Sequence, residues 1–328
     1  MEILQSLEKT GYKTKFKNSI LRHGYCCINL TLGETQGQPR ITTNRSMVKK
    51  TFLTKGLEYA AELALSNCMD LVQVIKWNNQ QGIKMYRMSS DIFPWCSEYE
   101  LSDLPGFDEI RQFLQMAGEE AKSGDQRLTF HPSHFAVLAS NKENVVAVAQ
   151  KDLRQHAEIM DLMGLDQSYF YPINVHVNTA QPTKEEAAER FCHQVQLTPP
   201  SVRKRLVVEV DDKKSGFHAE DLFQLVHQKT GIPITFDYLH NQCHPSTLSE
   251  EEALQLCFST WPAEIPPIVH FSSSKKKYED PKAREVAHSD WIYESVANYG
   301  LEIDIEFEVK MKELALLAYL RDFPFIFP

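Results

Sequence analysis

Acidic and histidine side chains recur at one place in successive apolar runs of this sequence: His131 in RLTFHP, His176 in INVHVN, Glu209 in LVVEVD, Asp237 and His240 in ITFDYLH, His270 in IVHFSS and Glu308 in IDIEFEV. Each run reads as a buried strand, and each polar residue falls near its far end. Burying such groups is costly unless something compensates them. A single strand histidine is usually a hydrogen-bonded core residue. A set at matching positions is different, because three carboxylates and four histidines at one mouth would repel or desolvate one another without cations. Divalent metal takes up both carboxylate charge and imidazole lone pairs. The nitrogen and oxygen donors, with no thiol among them, suit two or more ions such as Mn2+ or Zn2+ rather than a structural zinc. Clustered ions of this kind cleave phosphodiesters, one acidifying a water while others hold the phosphate and the leaving oxygen. Metal-assisted isomerisation or epimerisation of a sugar at a polar mouth is the alternative chemistry.

The elements that would position these residues alternate along the chain. Strand-like runs cover 20–27, 84–90, 127–132, 171–177, 205–211, 233–239, 267–273 and 302–309. Helix-like segments fall between them, clearest at 54–78, where Leu57, Ala61, Ala64, Cys68, Leu71 and Ile75 share one face. Others are expected near 106–123, 142–163, 183–197, 219–229, 249–258, 288–299 and 310–321. Continuous apolar runs are the mark of parallel strands covered on both faces. Strand-then-helix units in this number predict an α/β fold, a single-domain (β/α)8 TIM barrel over residues 20–328. An open doubly wound sheet would carry a Gly-rich phosphate turn after its first strand, and no G-x-G-x-x-G, G-x-x-x-x-G-K-[ST] or G-x-S-x-G occurs. The long irregular stretch 28–50, with Gly33, Gly37 and Pro39, belongs on the rim where barrel active sites sit. Residues 1–19 read as an N-terminal extension.

Composition narrows the class. The 328 residues are 42% hydrophobic and 24% charged, as in a globular domain. No apolar stretch approaches the roughly 18 residues of a membrane span, and the polar start MEILQSLEKTGYKTKFKNS is no secretory signal. Seven cysteines without a CxxC suit free thiols in a reducing, cytoplasmic setting. A net charge of −9 argues against nucleic acid in bulk, although a basic face can coexist with an acidic body.

At these residues the chain resembles the ultraviolet damage endonuclease family, relatives of endonuclease IV within the xylose-isomerase-like barrels. RHGYCCINLTL, TTNRS, YRMSSDIFP, FHPSHF, VHV, VEVDD, FDYLHNQCHP, VHFSS and EFEVKMKE follow in family order between about residues 20 and 310. The resemblance implies a metal-dependent enzyme that nicks double-stranded damaged DNA immediately 5′ of cyclobutane dimers and 6-4 photoproducts, leaving a 3′-hydroxyl and starting excision repair. It places His131, His176, Glu209, Asp237, His240, His270 and Glu308 on the metal ligands. The attacking group would be a water on metals held by Glu209, Asp237 and Glu308. Mn2+ is the implied ion, with Zn2+ an alternative at one site, and a monomer is expected. Two positions depart from the family. Ile268 stands where a modified lysine is usual, and Lys282 aligns with a further histidine ligand, while His288 lies six residues on. Two ions held firmly and a third weakly or not at all are therefore expected.

The resemblance also places a lesion-probing pair at His134 and Phe135, where an aromatic wedge would fill the gap left by unstacked bases. Tyr25 and Asn29 would line the opposite side. Lys275, Lys276 and Lys277, Lys213 and Lys214, and Arg45, Lys49 and Lys50 fall on predicted rim loops as a candidate phosphate track. Arg203, Lys204 and Arg205 precede the fifth strand and are expected to be solvated on the opposite face. Arg87 is expected to be paired within the mouth, with a phosphate in reach.

Overall fold

The structure, a computed structural model, describes residues 20–33 and 39–323. The extension 1–19 and Gly37 lie outside the described residues. The strands are β1 (Ile20–Cys26), β2 (Met85–Arg87), β3 (Arg127–Thr129), β4 (Ile173–Val175), β5 (Leu206–Glu209), β6 (Ile234–Asp237), β7 (Ile268–Phe271) and β8 (Ile303–Phe307). All pair in parallel, in the order β3-β2-β1-β8-β7-β6-β5-β4. The two ends of that order meet at Phe130. Its N–H donates to Pro172 O at 3.0 Å, and its carbonyl accepts from Asn174 N at 2.8 Å, which closes the sheet into a barrel. The ladders are shorter than the apolar runs because pairing stops where the strands splay at the mouth. Gly24 is required where β1 meets β2, since a Cβ there would lie 2.5 Å from Met85 O.

The helices around the barrel are α1 (Lys49–Gln80), α2 (Phe107–Ser123), α3 (Glu143–Leu162), α4 (Lys184–Leu197), α5 (Ala219–Leu222), α6 (Glu250–Phe258), α7 (Lys275–Tyr278) and α8 (Lys312–Asp322). Their starts follow local chemistry. Thr183 accepts from Glu186 N before α4, and Ser249 and Glu252 form a reciprocal cap on α6. The helix expected at 54–78 is longer and breaks at Gly56, whose φ of 65° and ψ of −155° only glycine adopts readily. The expected helix 219–229 begins as α5, widens by a residue per turn over Phe223–His227 and ends at Thr230.

The helix expected at 288–299 does not form. Its backbone is committed elsewhere: Ser289 N donates to Ser273 O, Asp290 N to the Glu279 carboxylate, and the carbonyls of Ser289 and Asp290 accept from Lys310 and Met311. The seventh crossover is thus the short α7 followed by an irregular loop lying on the mouth.

Alternate strand residues face two cores. One set, including Tyr25, Tyr86, Leu128, Val208, Phe236, Val269 and Phe307, packs against the helices. The other faces inward, where Met85, Val207 and Ile268 pack with Trp261. They come from strands that are not neighbours, so they can meet only inside the barrel. Below them Arg127, fully buried, pairs with Asp304 at 2.8 Å and donates to the carbonyls of Tyr169, Phe170 and Pro266. Arg205, expected in solvent, is also fully buried. Its guanidinium pairs with Asp161 at 2.7 Å and donates to Leu165 O, tying the base of β5 to α3. Lys204 is exposed, and Arg203 caps the carbonyls of Gln196 and Thr198. Among the described residues no helix is long and apolar enough to cross a membrane.

Candidate metal centre and active site

The barrel brings the scattered ligand-type residues to one mouth, each at or just past the C-terminal end of its strand. Glu209 ends β5, Asp237 ends β6 and His270 lies in β7, while His131, His176 and Glu308 follow β3, β4 and β8. His240 is carried by the one-turn helix Tyr238–Cys243, whose start is capped when His240 N donates to Asp237 Oδ1 at 2.7 Å. That cap turns both side chains of the strand-six pair toward the same space.

Glu209 is the centre of the set. His131 Nε2 lies 3.0 Å and His270 Nδ1 3.1 Å from its Oε2, and His240 Nδ1 lies 3.1 Å from its Oε1. His176 Nε2 is 3.7 Å away. His270 Nδ1 is also 3.1 Å from Glu308 Oε1. Three overlapping donor groups result, each able to bring its ligand atoms within 4.8 Å of one another: His131, Glu209 and His270; His176, Glu209 and His240; and Glu209, Asp237, His270 and Glu308. Every sequence-predicted metal ligand enters at least one of them, and Glu209 enters all three.

Charge is concentrated here. Burial would raise the Glu209 carboxyl, but His270, His176 and hydrogen bonds from His131 and His240 hold it well below the usual range. Burial also works against a charged His270, yet Glu209 and Glu308 outweigh it and push the imidazole up to about 10. Burial is likewise outweighed at His176 by Glu209 and Asp211 and at His240 by Asp237 and Glu209, so both are raised. His131 goes the other way, lowered by burial. Asp237 is raised by burial and by the neighbouring Glu209 and Glu308. Burial would raise Glu308 as well, but Arg87 and His270 pull it far down. Protons on histidine therefore do the work of cations in this pocket. Oδ2 of Asp237 is buried with no hydrogen-bond partner among the described residues. A buried carboxylate oxygen left unpaired is costly. The donor set, its crowding and that free oxygen fit divalent cations.

The structure adds residues that the sequence reading passed over. Asn174 donates to Glu209 Oε2, and Asp211 Oδ1 lies 2.9 Å from His176 Nδ1. Glu306 and Cys26 form a further donor group with Glu308. The signal was there in three cases: Asn174, Asp211 and Glu306 stand two residues from His176, Glu209 and Glu308, on the same strand face. His288 also reaches the cluster, with Nε2 3.9 Å from Glu308 Oε2 and its ring 6.3 Å from that of His240. Its Nδ1 lies 2.7 Å from Ser272 Oγ. Lys282 is exposed on the same loop and takes no part. Ile268 sits in the apolar layer beneath His270.

The lesion-contact residues divide. His134 and Phe135 are exposed beside the mouth, Phe135 at 72%, with rings 4.1 Å apart. A cleft of about 380 Å³ runs from His134 past Asp211 and Lys213 to the candidate metal ligands His176 and His240. On the other side of Phe135 a groove of about 280 Å³ is walled by Phe93 and Trp95. Tyr25 and Asn29 do not line the mouth. With Cys26 turned inward, strand alternation points Tyr25 at the helices. There its hydroxyl donates to Asn78 Oδ1 at 2.8 Å and accepts from Asn29 Nδ2 at 2.9 Å, with both residues buried.

The basic track is also revised. Arg45 is spent on Asp70 at 2.6 Å and on the carbonyls of Arg40 and Thr42. Lys275 pairs with Asp290 at 2.8 Å, Lys276 with Glu285 and Lys277 with Glu294. Lys49, Lys50, Lys213 and Lys214 are exposed.

Known proteins share this architecture. The sequence pattern of the family described as UV-endonuclease UvdE matches residues 21–326. The UV DNA damage endonuclease of Bacillus anthracis is 30% identical over 311 residues, 92% of this chain and 94% of that protein. The UV-damage endonuclease of Schizosaccharomyces pombe is 30% identical over 308 residues, 92% of this chain and 50% of that longer protein. The crystal structure of SacUVDE superimposes with a TM-score of 0.79 at 28% identity, over 92% of this chain and 99% of that one. A match across nearly all of the barrel, mouth included, has one meaning: this chain belongs to the UV-endonuclease UvdE family.

Proposed function

We propose that this protein is a DNA-repair endonuclease that acts on ultraviolet-damaged double-stranded DNA, cutting immediately 5′ of cyclobutane dimers and 6-4 photoproducts, and that it needs divalent metal, Mn2+ by preference. The observation that carries the reading is the Glu209-centred donor set at an open mouth, with the exposed His134–Phe135 pair beside it. Family membership supports DNA damaged by ultraviolet light as the substrate.

His131, His176, Glu209, Asp237, His240, His270 and Glu308 would hold the ions, with His288 as an eighth donor in place of Lys282. When bound, divalent cations here neutralise phosphate charge and acidify a water. The rest of the work belongs to the chain. Asn174 and Asp211 fix the Glu209 carboxylate and the His176 ring. Asp237, whose Oδ1 caps the turn that carries His240, would turn its unpartnered Oδ2 to the ions beside Glu209 and Glu308. The His134–Phe135 pair would enter the duplex where stacking is already weakened, which favours damaged sites, and the adjoining cleft would lead the strand to the ligands. Exposed Lys213 and Lys214 stand beside that cleft to meet phosphate.

The test is incubation with irradiated and unirradiated supercoiled plasmid, with and without Mn2+, followed by end mapping. Nicking that requires both irradiation and metal, leaving a 3′-hydroxyl at the 5′ side of the lesion, is expected. Equal nicking of both plasmids, or turnover of a ketose without nicking, would overturn the proposal.

A further inference from the structure

One donor group of the mouth already holds a cation of the chain's own. Cys26, Glu306 and Glu308 can bring a thiol and two carboxylates within 4.8 Å of one another, a set able to ligate a metal ion. Arg87 stands in that corner. Strand register places it beside Cys26. Its Nε donates to Glu306 Oε2 at 2.6 Å, its Nη2 donates to Glu308 Oε1 at 2.5 Å, and Nη2 lies 2.9 Å from His270 Nε2. Thr129 Oγ1 takes the other Glu306 oxygen at 2.6 Å. The Cys26 thiol donates to Phe307 O at 3.5 Å. Both oxygens of Glu306 and the thiol are therefore satisfied by protein, whereas Asp237 Oδ2 on the Glu209 side has no such partner.

We propose that Arg87 fills a latent metal site formed by Cys26, Glu306 and Glu308, and so confines divalent ions to the Glu209 side of the mouth. Glu306 is the counter-ion that anchors the guanidinium, with Thr129 bracing it. Arg87 reaches past it to Glu308 Oε1 and to the His270 ring, its Nη2 2.9 Å from Nε2 and 3.3 Å from Nδ1, while that Nδ1 lies 3.1 Å from Glu209 Oε2. A guanidinium suits the place because it stays charged, is planar and bonds two carboxylates at once. Arg87 is a positioning residue here: it sets where ions sit and how many enter.

The corner can be read directly with Cd2+, which prefers thiolate and whose bond to sulfur absorbs in the ultraviolet. Binding there exchanges the Cys26 proton, released to solvent, for a Cd–S bond. Arg87→Ala should bind about one further equivalent of Cd2+ per chain and gain the thiolate band. Arg87→Ala with Cys26→Ser should lose that band. Arg87→Lys, which keeps a cation in the corner, should bind no extra ion. The wild-type protein and its Cys26→Ser variant should give the same Cd2+ spectrum, a comparison that needs no Arg87 variant to fold. A band that depends on Cys26 in the wild-type protein, or an Arg87→Ala protein with unchanged stoichiometry, overturns the proposal. The inference rests on the metal reading of the mouth, and the two fail separately. Wild-type protein that takes up no Mn2+ sinks that reading, while the Cd2+ comparison still reports on the Arg87 corner.

Discussion

Glu209 decides the chemistry at the scale of single residues. Four imidazoles converge on one buried carboxylate, and three of them are pushed toward the protonated form by it. His240 touches Glu209 and sits next to Asp237, so His240→Ala should reduce nicking of irradiated plasmid by at least about 100-fold, the upper end of what losing a mere outer-shell partner costs. The fold itself should be retained, as an unchanged far-ultraviolet circular dichroism spectrum would show. The protonated histidines also make metal-free stability depend on pH. His270 titrates near 10 in the fold against 6.5 in a free side chain, so its stabilising charge is fully present below 6.5 and lost as pH rises toward about 10. Thermal unfolding with chelator present should therefore show falling stability across that window, and His270→Gln should flatten the fall. Because metal must displace these protons, uptake of Mn2+ at neutral pH should release protons. Calorimetry in buffers of different ionisation enthalpy measures that release. The same scale shows where a motif match went astray: the resemblance put Tyr25 at the mouth, yet strand alternation turned it into the helical layer.

At the scale of elements, the proposed selection of substrate falls to the loops on the rim. The loop after β3 presents Phe135 to solvent beside the cleft. Stacking of a base on an aromatic ring is worth about 1–3 kcal/mol. Phe135→Ala should thus weaken binding of irradiated duplex by about 5- to 150-fold and leave binding of undamaged duplex nearly unchanged, as competition assays would show. The β7–β8 loop behaves differently. Its lysines are matched one for one by Asp290, Glu285 and Glu294 on the same loop. Such surface pairs are weak, about 0–1 kcal/mol each. Freeing the lysines with Glu285→Gln and Glu294→Gln together should raise affinity for DNA a few-fold and steepen its salt dependence. Unchanged affinity would mean that this loop does not meet phosphate. Its residues 288–299 were expected to form a helix from their place between the seventh and eighth strand-like runs. It is held open instead by backbone bonds to residues 273, 279, 310 and 311, partners that local spacing does not reveal.

The whole molecule is a barrel sealed at one end and reactive at the other. The sealed end rests on the buried Arg127–Asp304 pair, made between β3 and β8 across the interior. Removing one partner of a buried pair costs about 3–5 kcal/mol. Asp304→Asn should lower the melting temperature on the order of 10 °C without changing Mn2+ stoichiometry. A change in stoichiometry would show that the two ends are coupled. By itself, the sequence determined the parallel strand-and-helix plan and the ligand-type residues at the strand ends, because alternation and apolar continuity are local properties that survive in one dimension. Tertiary structure alone decided which candidate donors come together, that Arg87 occupies one corner, and that Arg205 and Arg45 are structural. Those outcomes depend on which strands face each other across a closed barrel, and residues as far apart as Arg87 and Glu306 become neighbours only because β1 pairs with both β2 and β8.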